Sequence, residues 1–270
     1  MLLTLEVVDF IRRANWKERT EVRVSLDLGR TLTTVSPTNE GFQLGAQDIH
    51  FPERVRDRTI YQQVEGGWEP VSRYGTALVK LVPTAWGPPT FEIDGIKMLV
   101  SKQVSPLEDA RTKVKLAKVA GVDVLDTCGG LGYFAIAALE QGARQIRSFE
   151  KSDEVHWLRT VNPWSPPADP RLELIAGSVL DYLPHLPDRT FGAILHDPPR
   201  FGIAGELYSA ELYRTFARLL APRGHLLHYV GTPNLLTSGR DVPNEISKRL
   251  TAAGFRQVRR EGDSLVAQWR

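Results

Sequence analysis

The stretch that most constrains the fold is residues 121–142, where a short apolar run leads into a glycine turn and then an alanine-rich run. The apolar run ends at Asp126, and uninterrupted apolar runs are typical of parallel strands buried on both faces. Three glycines within residues 129–132 follow, and glycine lets the backbone turn sharply and approach another molecule closely. Residues 131–141 are then predicted to form a helix. A strand, a glycine loop and a helix N-terminus in this order predict an α/β fold with a site for a nucleotide-like ligand.

The spacing of these glycines distinguishes between two known kinds of nucleotide-binding motif. The fingerprint Gly-x-Gly-x-x-Gly of dinucleotide-binding domains does not fit positions 129, 130 and 132. A strand-terminal acid followed by Gly130-x-Gly132 resembles the first motif of the class I S-adenosylmethionine-dependent methyltransferases, with Cys128 in the place of that motif's first glycine. The resemblance implies a pocket for S-adenosylmethionine lined by Asp126, Cys128, Gly130 and Gly132. A strand-to-helix turn that binds no ligand is the alternative.

Two further positions match the cofactor site of the family that the chain resembles. Gln145–Glu150 is predicted to be a strand, and in the family an acid at the end of this strand accepts hydrogen bonds from both ribose hydroxyls. Glu150 stands there, and a carboxylate suits the role because its two oxygens can accept from two neighbouring donors. Family members often carry an acid for the adenine amino group after the next strand, predicted at Leu172–Ala176. Ser178 and Val179 follow that strand here, so a hydroxyl or a backbone carbonyl would take the role.

A second motif reads His-Asp-Pro-Pro-Arg-Phe over residues 196–201 and follows a fourth predicted strand. Prolines lack the N–H donor, so nearby carbonyls are left to accept from a substrate, and Asp197 with the carbonyl of Pro198 can hold an amino group. The motif resembles the Asp/Asn-Pro-Pro-aromatic motif of methyltransferases that act on nitrogens conjugated to planar systems. Arg200 replaces the aromatic residue of that motif. Either Phe201 supplies the ring one residue later, or Arg200 itself stacks on the acceptor.

Other families share parts of this second motif. An Asp-Pro-Pro-Arg or Asp-Pro-Pro-Lys run also occurs in RNA methyltransferases that modify carbon 5 of pyrimidines, which need a cysteine nucleophile after the fifth strand. Residues 226–234 contain no cysteine, which argues against that chemistry. The motif together with residues 205–209 is similar to a group of predicted methyltransferases of unnamed substrate. Residues 206–213 are similar to spermidine synthases, which use decarboxylated S-adenosylmethionine.

The chain is predicted to have two domains. Residues 1–104 combine a helix near residues 3–14 with alternating patterns and glycine turns, and predict a small, mostly antiparallel β domain that selects substrate. Ser105 and Glu108 form a capping box that opens the second domain, residues 105–270. Its alternating strands and helices, closed by a hairpin at residues 255–269, predict an α/β, doubly wound, mostly parallel sheet of seven strands with an antiparallel last strand. This sheet resembles that of the methyltransferases.

Composition limits partners and location. A single cysteine among 270 residues excludes an internal disulfide and suits the cytoplasm. The net charge of +2 argues mildly against extensive phosphate contact, although basic residues gather at residues 54–58, where either a nucleic-acid patch or a solvated surface fits. The first residues resemble neither a signal peptide nor a membrane span. The spacing of the histidines predicts no metal site, and His196 is expected either near the cofactor or in a structural role.

These observations predict an S-adenosylmethionine-dependent methyltransferase that modifies a nitrogen conjugated to a planar system, with a nucleobase of RNA as the first choice. Two alternatives remain open. One is a methyl or aminopropyl transferase that acts on a small amine. The other is a cofactor-binding protein without catalytic activity. The sequence does not indicate an oligomeric state.

Overall fold

The structure is a computed structural model that describes residues 1–14, 20–200, 204–231 and 241–270. By contacts between residues the chain divides into two compact units. Unit 1 combines residues 1–106 with residues 157–165, and unit 2 combines residues 107–156 with residues 166–270. None of the helices in the described ranges is long and apolar enough to span a bilayer.

The described part of residues 1–106 contains one α-helix and three small antiparallel sheets, and the end of a second helix, Asp153–Val161, also belongs to unit 1. Helix α1 (Leu5–Arg13) begins after Thr4, whose hydroxyl accepts a hydrogen bond from the Val7 N–H at 3.4 Å. The sheets have the orders β1-β6-β7, β2-β3-β4-β5 and β11-β10-β9-β8. Their strands are β1 (Leu2–Leu3), β2 (Val22–Val24), β3 (Thr33–Pro37), β4 (Gly41–Leu44), β5 (Gln47–His50), β6 (Tyr61–Val64), β7 (Gly67–Pro70), β8 (Ser72–Tyr74), β9 (Leu78–Val82), β10 (Thr90–Ile93) and β11 (Ile96–Lys97).

A distant segment of the chain completes unit 1. Residues 157–165 carry two tryptophans, and the indole N–H of Trp164 donates to the Leu28 carbonyl at 2.9 Å. The Arg73 guanidinium lies 4.3 Å from the ring centre of Trp157. These contacts explain why the segment groups with the first hundred residues, although chain order places it after the start of the large sheet.

Unit 2 is a sheet of seven strands flanked by helices. The order is β14-β13-β12-β15-β16-β18-β17, and β18 runs antiparallel to both of its neighbours. Its strands are β12 (Asp123–Asp126), β13 (Gln145–Glu150), β14 (Leu172–Ala176), β15 (Phe191–His196), β16 (Leu220–Tyr229), β17 (Arg256–Glu261) and β18 (Ser264–Gln268). The α-helices are α2 (Pro106–Leu116), α3 (Tyr133–Glu140), α4 (Asp153–Val161), α5 (Val179–Tyr182), α6 (Ala210–Leu219) and α7 (Val242–Ala252), and short 3-10 helices cover Leu183–His185 and Gly205–Tyr208.

The predicted α/β fold with a mostly parallel seven-stranded sheet and an antiparallel last strand is confirmed. The helix predicted at residues 131–141 spans Tyr133–Glu140, because Gly132 is its N-cap with a φ of 87° that a helix does not allow. Helix α2 ends at Leu116, because Lys118 takes a positive φ of 52°. Strand β16 begins at Leu220, which pairs with Phe191 before an irregularity in register.

The core of unit 2 explains why these elements pack together. Helix α6 buries the apolar side of its first and last turns, including Leu212, Phe216 and Leu219, against the sheet. Strands β12 and β15 contribute buried aliphatic side chains on both faces, as expected for central parallel strands. The predicted site lies at the edge where these central strands end.

Candidate functional site

The candidate site lies where three adjacent parallel strands end. Strand β12 pairs with β13 on one side and with β15 on the other, and Asp126 lies opposite Ser148 and Leu195 in these pairings. The carboxyl ends of parallel strands meet at one edge of a sheet, where ligands of such folds bind. Glu150, the glycine loop and Asp197 therefore follow neighbouring strands at the same edge.

Two residues of the glycine loop have backbone angles that favour glycine. Gly130 and Gly132 have φ angles of 50° and 87°, whereas Cys128 stays outside the left-handed region. Replacing the first glycine of the family motif by cysteine therefore does not strain the backbone. At Gly132 a Cβ atom would also lie 2.5 Å from Cδ of Pro166, so a side chain is excluded on two grounds.

Glu150 connects the end of β13 to the glycine loop. One of its carboxylate oxygens accepts the Gly130 N–H at 3.0 Å, and the other accepts the Ser152 N–H at 3.0 Å. Each oxygen of a carboxylate can accept more than one hydrogen bond, so both keep capacity for further donors. The side chain is half-buried, which leaves it accessible to a ligand.

Asp126 lies deeper than Glu150, and Cys128 is half-buried like Glu150. The Asp126 side chain is fully buried and accepts the Ser148 hydroxyl at 2.7 Å. Burial, followed by the charge of Glu150, raises the pKa of the Cys128 thiol well above its ordinary value. The thiol is therefore protonated and a weak nucleophile. This agrees with the expectation that the chain does not use cysteine chemistry on carbon 5 of a pyrimidine.

Ser178 and Val179 follow β14, whose last residue Ala176 pairs with Glu150. The Ser178 hydroxyl accepts the Leu180 N–H at 3.3 Å and so caps the short helix α5, while the Val179 side chain is buried. The structure thus places both residues near the end of the strand next to Glu150, and the adenine contact suggested for them stays a prediction.

Asp197 follows β15 and lies in an unusual electrostatic setting. Burial raises the pKa of its carboxyl to about 7, against the attraction of Lys113 and with the repulsion of Asp109, Asp126 and Asp263. No hydrogen bond from the described part of the chain reaches this carboxylate. A carboxyl group poised near neutral pH can exchange a proton with an acceptor under physiological conditions.

Lys113 is the residue of this site that the sequence did not indicate. Its buried ammonium donates to Asp109 at 2.7 Å and to Asp263 at 3.0 Å, and it lies 4.8 Å from the ring centre of Tyr229. Burial lowers its pKa, but the charges of Asp197, Asp109 and Asp263 outweigh that effect and raise it. The spacing of Asp109 and Lys113 on one helix is a signal that the sequence contains. The contact with Asp263 depends on tertiary structure.

The proline motif after Asp197 is held by Tyr208. The Tyr208 hydroxyl donates to the Pro199 carbonyl at 2.8 Å, which anchors the loop from the 3-10 helix that follows it. Pro198 is buried and Arg200 is exposed. Phe201, the alternative source of an aromatic ring, lies outside the described residues.

His196 is bonded within the protein through both ring nitrogens. Its Nε2 lies 2.8 Å from the Leu207 carbonyl and must donate, so Nδ1, at 2.6 Å, accepts from the Thr127 hydroxyl. Burial lowers the pKa of His196 to about 4, with the bond to Leu207 opposing it. The ring is therefore neutral, and it connects Thr127, at the start of the glycine loop, to Leu207. The cofactor contact suggested for His196 stays a prediction.

The chain is similar to a curated protein in sequence and to solved structures in fold. No protein-family model matches it. The uncharacterized protein MJ1233 of Methanocaldococcus jannaschii is 43% identical over 188 residues, which cover 69% of this chain. The matched region covers 64% of MJ1233, so the chain spans less than two thirds of the length of this relative.

Solved structures share the fold at low sequence identity. A spermidine synthase in complex with the transition-state analogue AdoDATO has a TM-score of 0.57 at 15% identity, with 73% of this chain and 71% of the other covered. The spermidine synthase of Thermotoga maritima has a TM-score of 0.56 at 13% identity, with coverages of 83% and 81%. A predicted S-adenosylmethionine-dependent methyltransferase of Streptococcus mutans has a TM-score of 0.50 at 16% identity, with coverages of 75% and 58%. The chain therefore has the fold that methyltransferases of this class and spermidine synthases share.

Proposed function

We propose that the protein binds S-adenosylmethionine at the edge formed by β13, β12 and β15 and transfers its methyl group to a nitrogen atom. The observation that carries the proposal is the position of Glu150, whose carboxylate is bonded to the glycine loop and keeps capacity for two more donors. The shared fold supports it, since such folds bind ligands at this edge. The cytoplasm is the proposed location, which suits the single cysteine.

The residues present fit this cofactor. Glu150 offers acceptor oxygens for the two ribose hydroxyls, and Gly130 and Gly132 take the positive φ angles with which the loop turns from β12 into α3. Asp126, Cys128, Ser178 and Val179 are proposed to complete the pocket from the ends of β12 and β14. When bound, S-adenosylmethionine supplies a methyl group that its sulfonium already activates.

Asp197 and the proline motif are proposed to act on the acceptor. The Asp197 carboxylate and the Pro198 carbonyl accept hydrogen bonds from an amino group and so orient the nitrogen lone pair for in-line attack. Methyl transfer would form the bond between this nitrogen and the methyl carbon and break the carbon–sulfur bond, with the electron pair left on sulfur. With a pKa near 7, Asp197 can take up the proton that the acceptor nitrogen releases.

A nucleobase nitrogen of RNA is the proposed acceptor. The motif around Asp197 resembles that of enzymes acting on nitrogens conjugated to planar systems, and exposed Arg200 can stack on such a ring. Unit 1 is proposed to select the substrate.

Transfer of a methyl or aminopropyl group to a small amine is the second candidate. The spermidine synthase structures cover up to 83% of this chain. In addition, three carboxylates, those of Asp109, Asp197 and Asp263, act on the buried Lys113. A pocket with this excess of negative charge favours a cationic amine over a phosphate-bearing polymer.

Two substitutions test the proposed roles. Glu150→Gln should weaken S-adenosylmethionine binding at least tenfold by calorimetry, because charge-assisted hydrogen bonds contribute about 1.5–3 kcal/mol. Asp197→Asn should bind the cofactor with unchanged affinity but lose methyl transfer from labelled S-adenosylmethionine to bulk tRNA or rRNA. Mass spectrometry of nucleosides from a deletion strain would identify the modified base.

Glu173→Gln is the matched control, because Glu173 is an exposed glutamate on the neighbouring strand β14. Wild-type affinity of Glu150→Gln for the cofactor would contradict the ribose role. Transfer to putrescine-like amines but not to RNA would favour the second candidate. Cofactor binding without transfer to either substrate class would favour a protein that binds the cofactor without catalysis.

A further inference from the structure

One face of the small sheet β11-β10-β9-β8 in unit 1 has an unusual composition. The strand pairings place Ser72 opposite Lys80, Lys80 opposite Glu92, and Glu92 opposite Lys97. Directly paired residues point to the same side of a sheet, so these four side chains form one row across it. A neighbouring row on the same side contains the pair Tyr74 and Leu78.

This side of the sheet carries more cations than carboxylates close to the row. Arg58 forms an ion pair with Glu92, and the Lys80 ammonium donates to the Thr59 hydroxyl at 3.0 Å. The exposed Lys97 adds a third cation. Burial lowers the pKa of Lys80. The attraction of Glu92 is the largest of the charge effects on Lys80 and opposes burial, whereas Arg58 and Arg56 act in the same direction as burial. Arg58, Lys80 and Lys97 lie around one carboxylate in this row, that of Glu92, and an excess of cations favours binding of an anion.

The second row offers an unpartnered aromatic surface next to these cations. Tyr74 and Leu78 form a cross-strand pair. Both side chains are large and apolar, yet they are 77% and 44% exposed. Along a strand the two rows are two residues apart, roughly 7 Å, so the tyrosine ring lies beside the cationic row. The Asp94 carboxylate lies at the turn between β10 and β11. It accepts a hydrogen bond from the Leu78 N–H at 2.9 Å and is therefore bonded to the backbone.

We propose that this surface, defined by Arg58, Tyr74, Leu78, Lys80 and Lys97 and called the Tyr74 face, binds single-stranded polynucleotide. Cations on a sheet hold the phosphate backbone, and exposed aromatic rings stack on unpaired bases. Because the cationic row and the Tyr74–Leu78 pair lie side by side, a single strand can place its phosphates on the first and an unpaired base on the second. A duplex offers phosphates but keeps its bases stacked inside, so the tyrosine favours single strands.

The proposal deepens the proposed function, because it rests on the nucleic-acid branch of that function and gives unit 1 its part in substrate selection. It uses no residue of the candidate site in unit 2. Binding at the Tyr74 face can therefore be measured without the cofactor.

The experiment uses the full-length chain and fluorescence anisotropy with a labelled single-stranded RNA of about ten nucleotides. We expect binding that weakens with salt, with a slope of roughly −2 in a double-logarithmic plot for three phosphate contacts. Tyr74→Ala should weaken binding roughly tenfold, and Tyr74→Phe should restore it, because stacking needs the ring and not the hydroxyl. Lys97→Gln should reduce the magnitude of the salt slope by about 0.7.

Two matched controls lie away from the Tyr74 face. Phe10→Ala removes an exposed aromatic ring from α1, and Lys248→Gln removes an exposed cation from α7. Neither should change RNA binding. Single-stranded DNA of the same sequence distinguishes recognition of RNA from recognition of any single strand, and either result supports the proposal.

Three results would overturn the inference: no binding of either single strand at low salt, equal losses for Tyr74→Ala and Phe10→Ala, or equally tight binding of a duplex of the same length. Calorimetry with S-adenosylmethionine separates this proposal from the proposed function. Cofactor binding without RNA binding overturns only the Tyr74 face, whereas RNA binding without cofactor binding overturns only the proposed activity.

Discussion

At the scale of single residues, the glycine loop depends most on Gly132. Its φ of 87° lies in the left-handed region, and Pro166 occupies the space that a Cβ atom would need. The N–H of Gly132 donates to the Gly129 carbonyl at 2.7 Å, and its own carbonyl accepts the first N–H bond of α3 from Ile136 at 3.0 Å. Gly132 thus forms the hydrogen bond that closes the loop and accepts the first hydrogen bond of α3, and it places no side chain at the edge of the sheet.

Gly132→Ala should therefore lower both stability and cofactor affinity. Left-handed backbone costs a non-glycine residue about 1–2 kcal/mol, and the contact with Pro166 adds to it. Urea denaturation measures the free energy of unfolding, and calorimetry measures S-adenosylmethionine binding.

Gly142→Ala is the matched control for this change, since Gly142 has a φ of 82° at the other end of α3 with no atom within 4 Å of its Cβ position. It should show the backbone cost alone and leave cofactor affinity unchanged. Equal losses of stability for the two variants would show that the close approach of Pro166 has no energetic consequence.

At the scale of elements, two buried histidines join β15, β16 and α6. His196 and His228 lie opposite each other in the strand pairing, and their ring centres are 4.5 Å apart. His228 donates from Nδ1 to the Tyr229 carbonyl at 2.7 Å and accepts at Nε2 from the Tyr213 hydroxyl of α6 at 2.9 Å. Burial lowers the pKa of both rings, to about 4 for His196. Both rings are therefore neutral at neutral pH, and each becomes charged only when it binds a proton.

This pair predicts loss of stability in mild acid. The unfolded chain binds protons at the ordinary histidine pKa of 6.5, above the folded value, so stability is present above pH 6.5 and decreases toward pH 4. His196 should contribute a loss of about 2 kcal/mol between pH 7 and pH 5, because one pKa unit corresponds to about 1.4 kcal/mol, and His228 should act in the same direction. Urea denaturation at a series of pH values measures it.

Asp197 acts in the opposite direction over the same range. Its folded pKa of about 7 lies above the ordinary 3.8, so its contribution is full below pH 3.8 and is lost as the pH rises through 7. Asp197→Asn should therefore make the acid loss of the histidine pair steeper, with the exposed carboxyl of Asp181 as the control position in Asp181→Asn. A shallower acid loss in Asp197→Asn would contradict the assigned directions.

At the scale of the whole molecule, unit 1 is built from two separated parts of the chain. Trp164 packs beside Gly87, where a Cβ atom would lie 3.2 Å from the indole ring, and the Arg30 guanidinium lies 5.5 Å from the ring centre. Arg30 also donates to the Pro163 carbonyl. These contacts make residues 157–165 part of the folding unit formed by residues 1–106.

Trp164→Phe should reduce the free energy of unfolding by about 1 kcal/mol, because the Leu28 carbonyl loses its indole donor. Trp86→Phe is the matched control. The Trp86 indole N–H also donates to a carbonyl, that of Ser101 at 3.2 Å, but the residue is 47% exposed and water can replace the bond. Guanidinium denaturation followed by circular dichroism measures both variants, and equal effects would contradict a structural role for the distant segment.

Prediction from sequence succeeded where information is local. The strand Gln145–Glu150, the helix after Gly132 and the terminal hairpin follow from hydrophobic period, glycine positions and turn residues over short windows. The same local signals identified Glu150 and Asp197 as acids at strand ends. They did not indicate Lys113 as part of the site, because Asp263 reaches its ammonium from 150 positions away.

The amino-acid sequence by itself thus determined the class of fold, the order of strands along the chain and the acids at their ends, because these depend on residues that are neighbours in sequence. Only the tertiary structure decided that both ring nitrogens of His196 have partners within the protein, that Lys113 acts on Asp197, and that residues 157–165 belong to unit 1. Each of these depends on which distant side chains share a buried space. Burial and charge act through distance in three dimensions and not through position along the chain.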